Sequence, residues 1–322
     1  NKSVGEQGSL MLNQIKATGG EETFVINSAG TIAEAENANI SAFNVTARAA
    51  GDILLNRGTN TMSNIKLSSP GKIDLLTNEL TTSGVENITV EKYGNQLAES
   101  IKLVNTSLNA MNLKGLQAEG NIKVEQSGGL VIADSIESKT GDIWLDSQFG
   151  ISINGSPIKT DEGNIAILAR GGNLATDADI SAINGYVALM SNGSIYDLGS
   201  QVTAETIAYV AKDTINFSKD AQDTIKLDAS KSVGMISLDG SINLHKNVEL
   251  TSEKNILLHA KKNITVGEMG EGTLGSINAK GKVNLVAETG YIHNVAGITG
   301  TDITLKAEQD SISNSGALNG TS

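Results

Sequence analysis

The chain has 322 residues, with 36 acidic against 24 basic side chains, a formal net charge of −12, 35 Gly, 2 Pro, no Cys and 3% aromatic content. That balance argues against holding nucleic acid or an anionic membrane on a broad basic face, and without Cys there are no disulfides or thiolate metal sites. The longest apolar runs, 165–169 and 186–190, are too short to span a bilayer as a helix, while 39% apolar residues suffice for a packed core rather than disorder.

Along the chain a Gly-x-(Ile/Val)-x-(Leu/Ile/Val) element recurs. It reads Gly51-Asp52-Ile53-Leu54-Leu55, returns at Gly71, Gly120, Gly141, Gly163, Gly185 and Gly240, and closes as Gly281-Lys282-Val283-Asn284-Leu285. Copies without the Gly begin at Glu86, Glu99, Glu205, Asp223, Lys254 and Thr301. The steps 51 to 71, 120 to 141, 141 to 163 and 163 to 185 set a period of 20 to 22 residues. Such self-similarity marks a repeat protein. A second element follows within each period, as at Gly150-Ile151-Ser152-Ile153 and Gly193-Ser194-Ile195. A third apolar pair comes next, Ile180 with Ala182 or Val202 with Ala204.

Apolar and polar residues alternate inside each element, the period-2 pattern of a strand with one buried face. Three short strands per period, punctuated by Gly, Asn and Asp, predict an all-β fold. The architecture expected is a right-handed parallel β-helix, with 1–322 a single repeat segment cut from a longer chain. A leucine-rich repeat shares the period but expects a Leu-x-x-Leu-x-Leu pattern with a helical arc, and residues 106–116 are the one stretch with a helical look. Stacked inward Ile, Leu and Val at the ~4.8 Å strand spacing would form the core, each contributing on the order of 1.5–3 kcal/mol. Pro is scarce because it cannot donate to a ladder paired on both sides.

The repeat loosens twice. Starts fall at 86, 99 and 120, with Glu91-Lys92-Tyr93-Gly94-Asn95-Gln96 fitting no strand, and 231–234 interrupts a second drifting stretch. Loop insertions are therefore predicted near 91–98 and 231–247, where a solenoid would carry function.

Candidate chemistry is sparse. His245, His259 and His293 fall in different coils without ligand spacing, so no metal site is expected. Asp142, Asp146, Asp161 and Glu162 cluster in sequence; stacked across coils, such carboxylates could act as acid and base, but a solubilising surface is the better reading of them. Trp144 occupies a polar-alternate position between Ile143 and Leu145 and is expected to face outward as a contact residue. With Lys92 and Tyr93 of the irregular stretch, it makes up the set of expected partner contacts. Ten Asn-x-(Ser/Thr) triplets occur, Asn44, Asn87 and Asn216 among them, a pattern that Asn-rich turns before strands also generate.

The wording of the repeat, in Ala49-Ala50-Gly51-Asp52-Ile53-Leu54-Leu55, residues 281–290 and Thr301-Asp302-Ile303-Thr304-Leu305-Lys306-Ala307, resembles filamentous-haemagglutinin-type repeats of bacterial two-partner-secretion exoproteins. The resemblance runs from about Glu21 to Gly316. It implies the shaft of a secreted or cell-surface adhesin that is exported unfolded through an outer-membrane transporter, a route that a Cys-free chain suits. The partner it implies is a receptor on a host or neighbouring cell. Neither catalytic residues nor a cofactor follow from it, and a carbohydrate-active β-helix enzyme is the other reading. The Asn-Pro-Asn-Gly-type motif of the secretion domain is not found, so the chain reads as shaft rather than export head.

Overall fold

The computed structural model describes residues 8–17, 23–78, 86–217, 224–245, 247–267 and 275–320. The 34 regular elements among them are all β-strands, every ladder is parallel, and the coils form a β-solenoid of about 13 turns with about three strands per coil. The chain divides into two compact units, 1–163 and 164–322.

In the first unit, Ile101, Ile122 and Ile143 stand one above another, as do Leu103, Val124 and Leu145. All six are at most 1% exposed. The second unit repeats the arrangement through Ile165, Val187, Ile207, Val233, Ile256 and Val283. Alternation produces this directly, since in Ile122–Gln126 the side chains read buried, exposed, buried, half-buried, buried. On the last coil Ile312 and Leu318 are 45% and 44% exposed, whereas Ile292 and Ile298 beneath them are fully covered.

The corners explain the Gly-(Asn/Asp) wording of the repeat. A Cβ on Gly163 would lie 2.0 Å from the Gly141 carbonyl oxygen, and one on Gly141 would lie 2.3 Å from the Asn121 backbone nitrogen. Only Gly lets the chain turn this close to the coil below. The Asx residue that follows then reaches forward: Asn121 Oδ1 accepts the Asp142 N–H at 2.9 Å, and Asn164 Oδ1 accepts the Tyr186 N–H at 3.0 Å. Buried hydroxyls close the same corners. Ser138 Oγ donates to the Gly120 carbonyl and accepts from the Gly141 N–H, at 2.8 and 2.9 Å. Ser191 does the same with Gly172 and Gly193, at 2.7 and 3.0 Å. Polar backbone at a buried bend is thereby satisfied.

Three local expectations change. Residues 106–116 hold no helix: Met111–Leu113 is a strand whose Met and Leu point inward while Asn112 points out, so the pattern was period-2 after all. The element starting at 86 does not open a coil, because Glu86–Glu91 stacks between Thr59–Ser68 and Met111–Leu113, in the second strand column. First-column strands run instead from Lys72–Thr77 to Ser100–Asn105. Residues 231–234 continue the strand Ile225–Ser237, with Val233 and Met235 inward, because Gly234 fills an outward position where no side chain is needed. A turn follows around His245 and Asn247, and Lys246 lies outside the described residues.

Candidate functional site

The irregular stretch in the first unit is a tight hairpin. The Tyr93 N–H donates to the Gln96 carbonyl at 2.9 Å and the Gln96 N–H donates back at 3.1 Å. The two-residue loop between them starts at Gly94, whose φ of 62° is the left-handed region that a type II′ hairpin turn requires at this position. Ser68 Oγ ties the turn down by donating to the Lys92 carbonyl at 3.0 Å. The Arg48 guanidinium lies 4.6 Å from the Tyr93 ring centroid, a cation–π contact. Lys92 is exposed and Tyr93 half-buried.

Beside this turn runs a feature absent from the sequence reading. Asn44, Asn64, Asn87 and Asn112 occupy the same outward position on four successive coils. Asn64 Nδ2 donates to Asn44 Oδ1 at 2.9 Å, Asn87 Nδ2 to Asn64 Oδ1 at 2.7 Å, and Asn112 Nδ2 to Asn87 Oδ1 at 3.4 Å. Asn is a poor strand former alone, but in-register stacking lets each amide bond the next along the ladder. Two residues on, the neighbouring outward positions are Thr46, Lys66, Thr89 and Lys114. Together these columns line a shallow groove of about 360 Å³ whose floor is amide and hydroxyl and whose edge carries Lys66 and Lys114.

Charge concentrates here against the overall sign. Arg48, Lys66, Lys92 and Lys114 face this side of the first unit with Glu91, and Asp134 follows one coil beyond Lys114. Lys66 Nζ meets Glu91 at 2.6 Å with both side chains about half exposed, so the pair positions side chains more than it stabilises. Chemically, the groove offers hydrogen-bond donors and acceptors and a positive rim. Its titratable groups form an exposed ion pair, not a nucleophile beside a base.

The structure thus brings Lys92 and Tyr93 together on one turn, while Trp144 belongs elsewhere, to the first-column strand Ile143–Ser147, half-buried next to Lys123 in register. The four sequence-clustered acids do not share one environment. Asp142 and Glu162 are exposed at corners, Asp146 is 7% exposed, and Asp161 is held by Lys159 at 2.8 Å, which raises the lysine pKa. His259 Nε2 lies 2.9 Å from Glu288 Oε1, and Lys261 Nζ lies 2.6 Å from Glu288 Oε2. Those two bonds hold the Glu288 carboxyl below its ordinary pKa, Lys261 acting more strongly than His259. No group of three or more His, Asp or Glu able to hold a metal occurs among the described residues.

The most perturbed groups are sealed in the core of the second unit. Asp197 is fully buried; its Oδ2 accepts from Ser200 Oγ at 2.5 Å and Tyr209 Oη at 2.8 Å, its Oδ1 from the Ser200 and Gly199 N–H groups at 3.0 and 3.3 Å. Burial raises the Asp197 pKa despite those bonds and pushes the Tyr209 hydroxyl well above its ordinary value. The Tyr209 ring rests 5.6 Å from Phe217. In the first unit the most deeply buried carboxylate among the described residues is Glu34, whose Oε2 accepts the Arg57 and Gly58 N–H groups at 2.9 and 3.1 Å. Both are turn-closing groups that substrate could not reach.

Asn44-Val45-Thr46, Asn64-Ile65-Lys66, Asn87-Ile88-Thr89 and Asn112-Leu113-Lys114 share a legible Asn-apolar-(Thr/Lys) signature. Their spacings of 20, 23 and 25 residues hide the alignment from a search at fixed period. In comparisons with known protein families, curated proteins and solved structures, nothing matches the chain.

Proposed function

We propose that this chain is a section of the adhesive shaft of a secreted or cell-surface bacterial exoprotein, of the filamentous-haemagglutinin-like kind that its repeats resemble. The observation that carries the reading is how the titratable groups with shifted pKa are held: those at the surface, Lys159, Lys261 and Glu288, are ion-paired. Asp197 and Tyr209 are locked inside the core, while the open groove beside Tyr93 presents amides, hydroxyls and ammonium groups. A surface of that composition holds a partner by many weak polar contacts, which suits attachment and offers no acid–base pair to a glycosidic bond.

On this reading the first unit contacts the receptor through the asparagine column and the Lys92–Tyr93 turn, and stacked coils supply length and stiffness. The test is attachment of cells to protein-coated beads. Saturable attachment that falls several-fold with Asn64→Ala combined with Lys92→Ala supports the proposal. Absence of attachment, together with new reducing or unsaturated ends when acidic polysaccharides are incubated with the protein, would replace it with the enzyme reading.

A further inference from the structure

The first-column strands of the second unit are apolar on both faces. Inward residues form the core, yet the outward positions are also uncharged. Ala166, Ala188, Ala208 and Gly234 stand in register at one outward position, and Leu168, Met190, Val210 and Ile236 at the next. Leu257 continues the first of these columns, 38% exposed, while His259, bonded to Glu288, takes the next position of the second and ends its apolar run. On the near side the flanking positions are Tyr186, Thr206 and Ser232, also uncharged. On the first-column segments 165–169, 186–191, 206–211 and 232–237 no outward residue carries a charge, in a chain whose net charge is −12, although the Lys231–Glu205 ion pair borders them on the near side.

The relief of this face is specific. The Ala188/Ala208/Gly234 stretch is a trough, open enough at Gly234 that a Cβ there would meet nothing within 4 Å, while Ala166 at its start is only 5% exposed. The Leu/Met/Val/Ile column beside it is a ridge. Both run along the stacking direction with the same repeat, the ~4.8 Å of paired strands. A surface with a ridge next to a matching trough is complementary to itself under a two-fold rotation, which seats each ridge in the partner's trough.

We propose that this face is a self-association surface, on which a second copy of the chain packs sheet against sheet through the residues 165–237. Two arguments select a second copy, and the size of the face sets the strength of the contact. Adjacent ridge and trough with a shared repeat fit one another without any further adjustment. Meeting through the uncharged face lets two strongly acidic molecules approach without desolvating a charge. The four coils from Ile165 to Ser237 make a face roughly 19 Å by 17 Å at ordinary strand dimensions, so a symmetric pair covers about 650 Å², below the usual size of a permanent interface. The pair is accordingly weak and reversible, and side-by-side shafts would gain strength by repeating it.

Sedimentation velocity over a wide concentration range tests this. The wild type should shift from monomer to dimer, and added salt should strengthen the shift by screening the like charges. Val210→Lys and Met190→Lys, at half-exposed outward positions, should each weaken dimerisation at least tenfold with an unchanged far-ultraviolet dichroism spectrum. Because the chain has no Cys, a short bis-maleimide should couple the Ala208→Cys variant into dimers but not the Lys102→Cys variant of the first unit, which decides the matter even if a charged variant fails to fold. A monomer at every concentration, dimers that persist in folded Val210→Lys, equal coupling of the two cysteine variants, or capture of the monomer by neutral phospholipid vesicles would each overturn the proposal.

Discussion

The same strand column builds opposite outer surfaces in the two units. In residues 1–163 its outward positions include Asp74, Lys102, Lys123 and Trp144 on one line and Leu76, Val104, Glu125 and Asp146 on the next. In the second unit, over residues 165–237, the corresponding lines are Ala, Ala, Ala, Gly and Leu, Met, Val, Ile, before polar residues return with His259, Asn284 and Lys306. The inward residues of both are the same Ile, Leu and Val. Stacking therefore constrains one face of each strand and leaves the other free, and the free face is where the units differ in what they can touch. Beneath those faces the difference continues. Tyr209 and Phe217 put aromatic rings in the second core, whereas the first core is aliphatic among its described residues.

The largest expected effect breaks the support under the apolar face. Tyr209 lies on the strand that carries Ala208 and Val210, and Asp197 pins it from the next strand. Asp197→Ala leaves the Tyr209 hydroxyl and Ser200 without their acceptor, for a loss of about 3 kcal/mol, measured as a lowered urea midpoint. Asp197→Asn sharpens the point through pH. Burial places the folded-state pKa above the unfolded one, so between the two values the folded chain binds more protons. The ionised carboxylate is the costly form in the folded chain, and its penalty shrinks as pH falls from the folded-state value toward the unfolded-state one. Wild type should gain stability relative to Asp197→Asn as pH falls from neutrality into the acidic range. A constant difference would mean the carboxylate does not titrate there.

Next in size is a pair of glycine substitutions that separates crowded corners from open faces. Gly163→Ala pushes a methyl into the Gly141 carbonyl and should lower stability by about 1–3 kcal/mol. Gly234→Ala meets empty space and should be neutral or stabilising by up to ~1 kcal/mol. Thermal unfolding of the two variants side by side checks both. Equal losses would mean that position in the strand, rather than room, decides.

Smaller effects address the polar side of the first unit. Asn64→Ala removes the middle of the amide column and two hydrogen bonds, for about 1–2 kcal/mol in chemical denaturation. Smallest is Arg48→Ala, which takes away the cation–π contact with Tyr93, about 0.5–1 kcal/mol. Its signature is faster proteolytic nicking at 93–96 with little change in the global midpoint.

Much of the coil was readable because its physics is local. Alternation of Ile143, Leu145 and their relatives gives strand and buried face, and Gly-Asp or Gly-Asn marks a corner where chains nearly touch. The hairpin at 93–96 was located by its failure to fit, and Trp144 lies at an alternate position of its strand but half-buried rather than exposed. Glu86 misled because a strand of the second column has the same alternation as one of the first. Gly234 misled because it resembles a break until its outward position is known. The apolar runs at 165–169 and 186–190 were visible as runs; that half of each forms an outer face follows from parity, but that four such faces line up does not.

Sequence alone determined the period, the inward residues and the corner chemistry, since each depends on neighbours a few residues away and on the identical demand of every coil. Tertiary structure decided which outward side chains share a column. Loops of unequal length separate successive strands, so a residue's partner above lies anywhere from 19 to 28 positions on, and only the hydrogen-bonded register selects it. The asparagine ladder, the ridge and trough of the second unit and the Asp197–Tyr209 lock all arise from that register, because each needs side chains distant in sequence to meet at the spacing of paired strands.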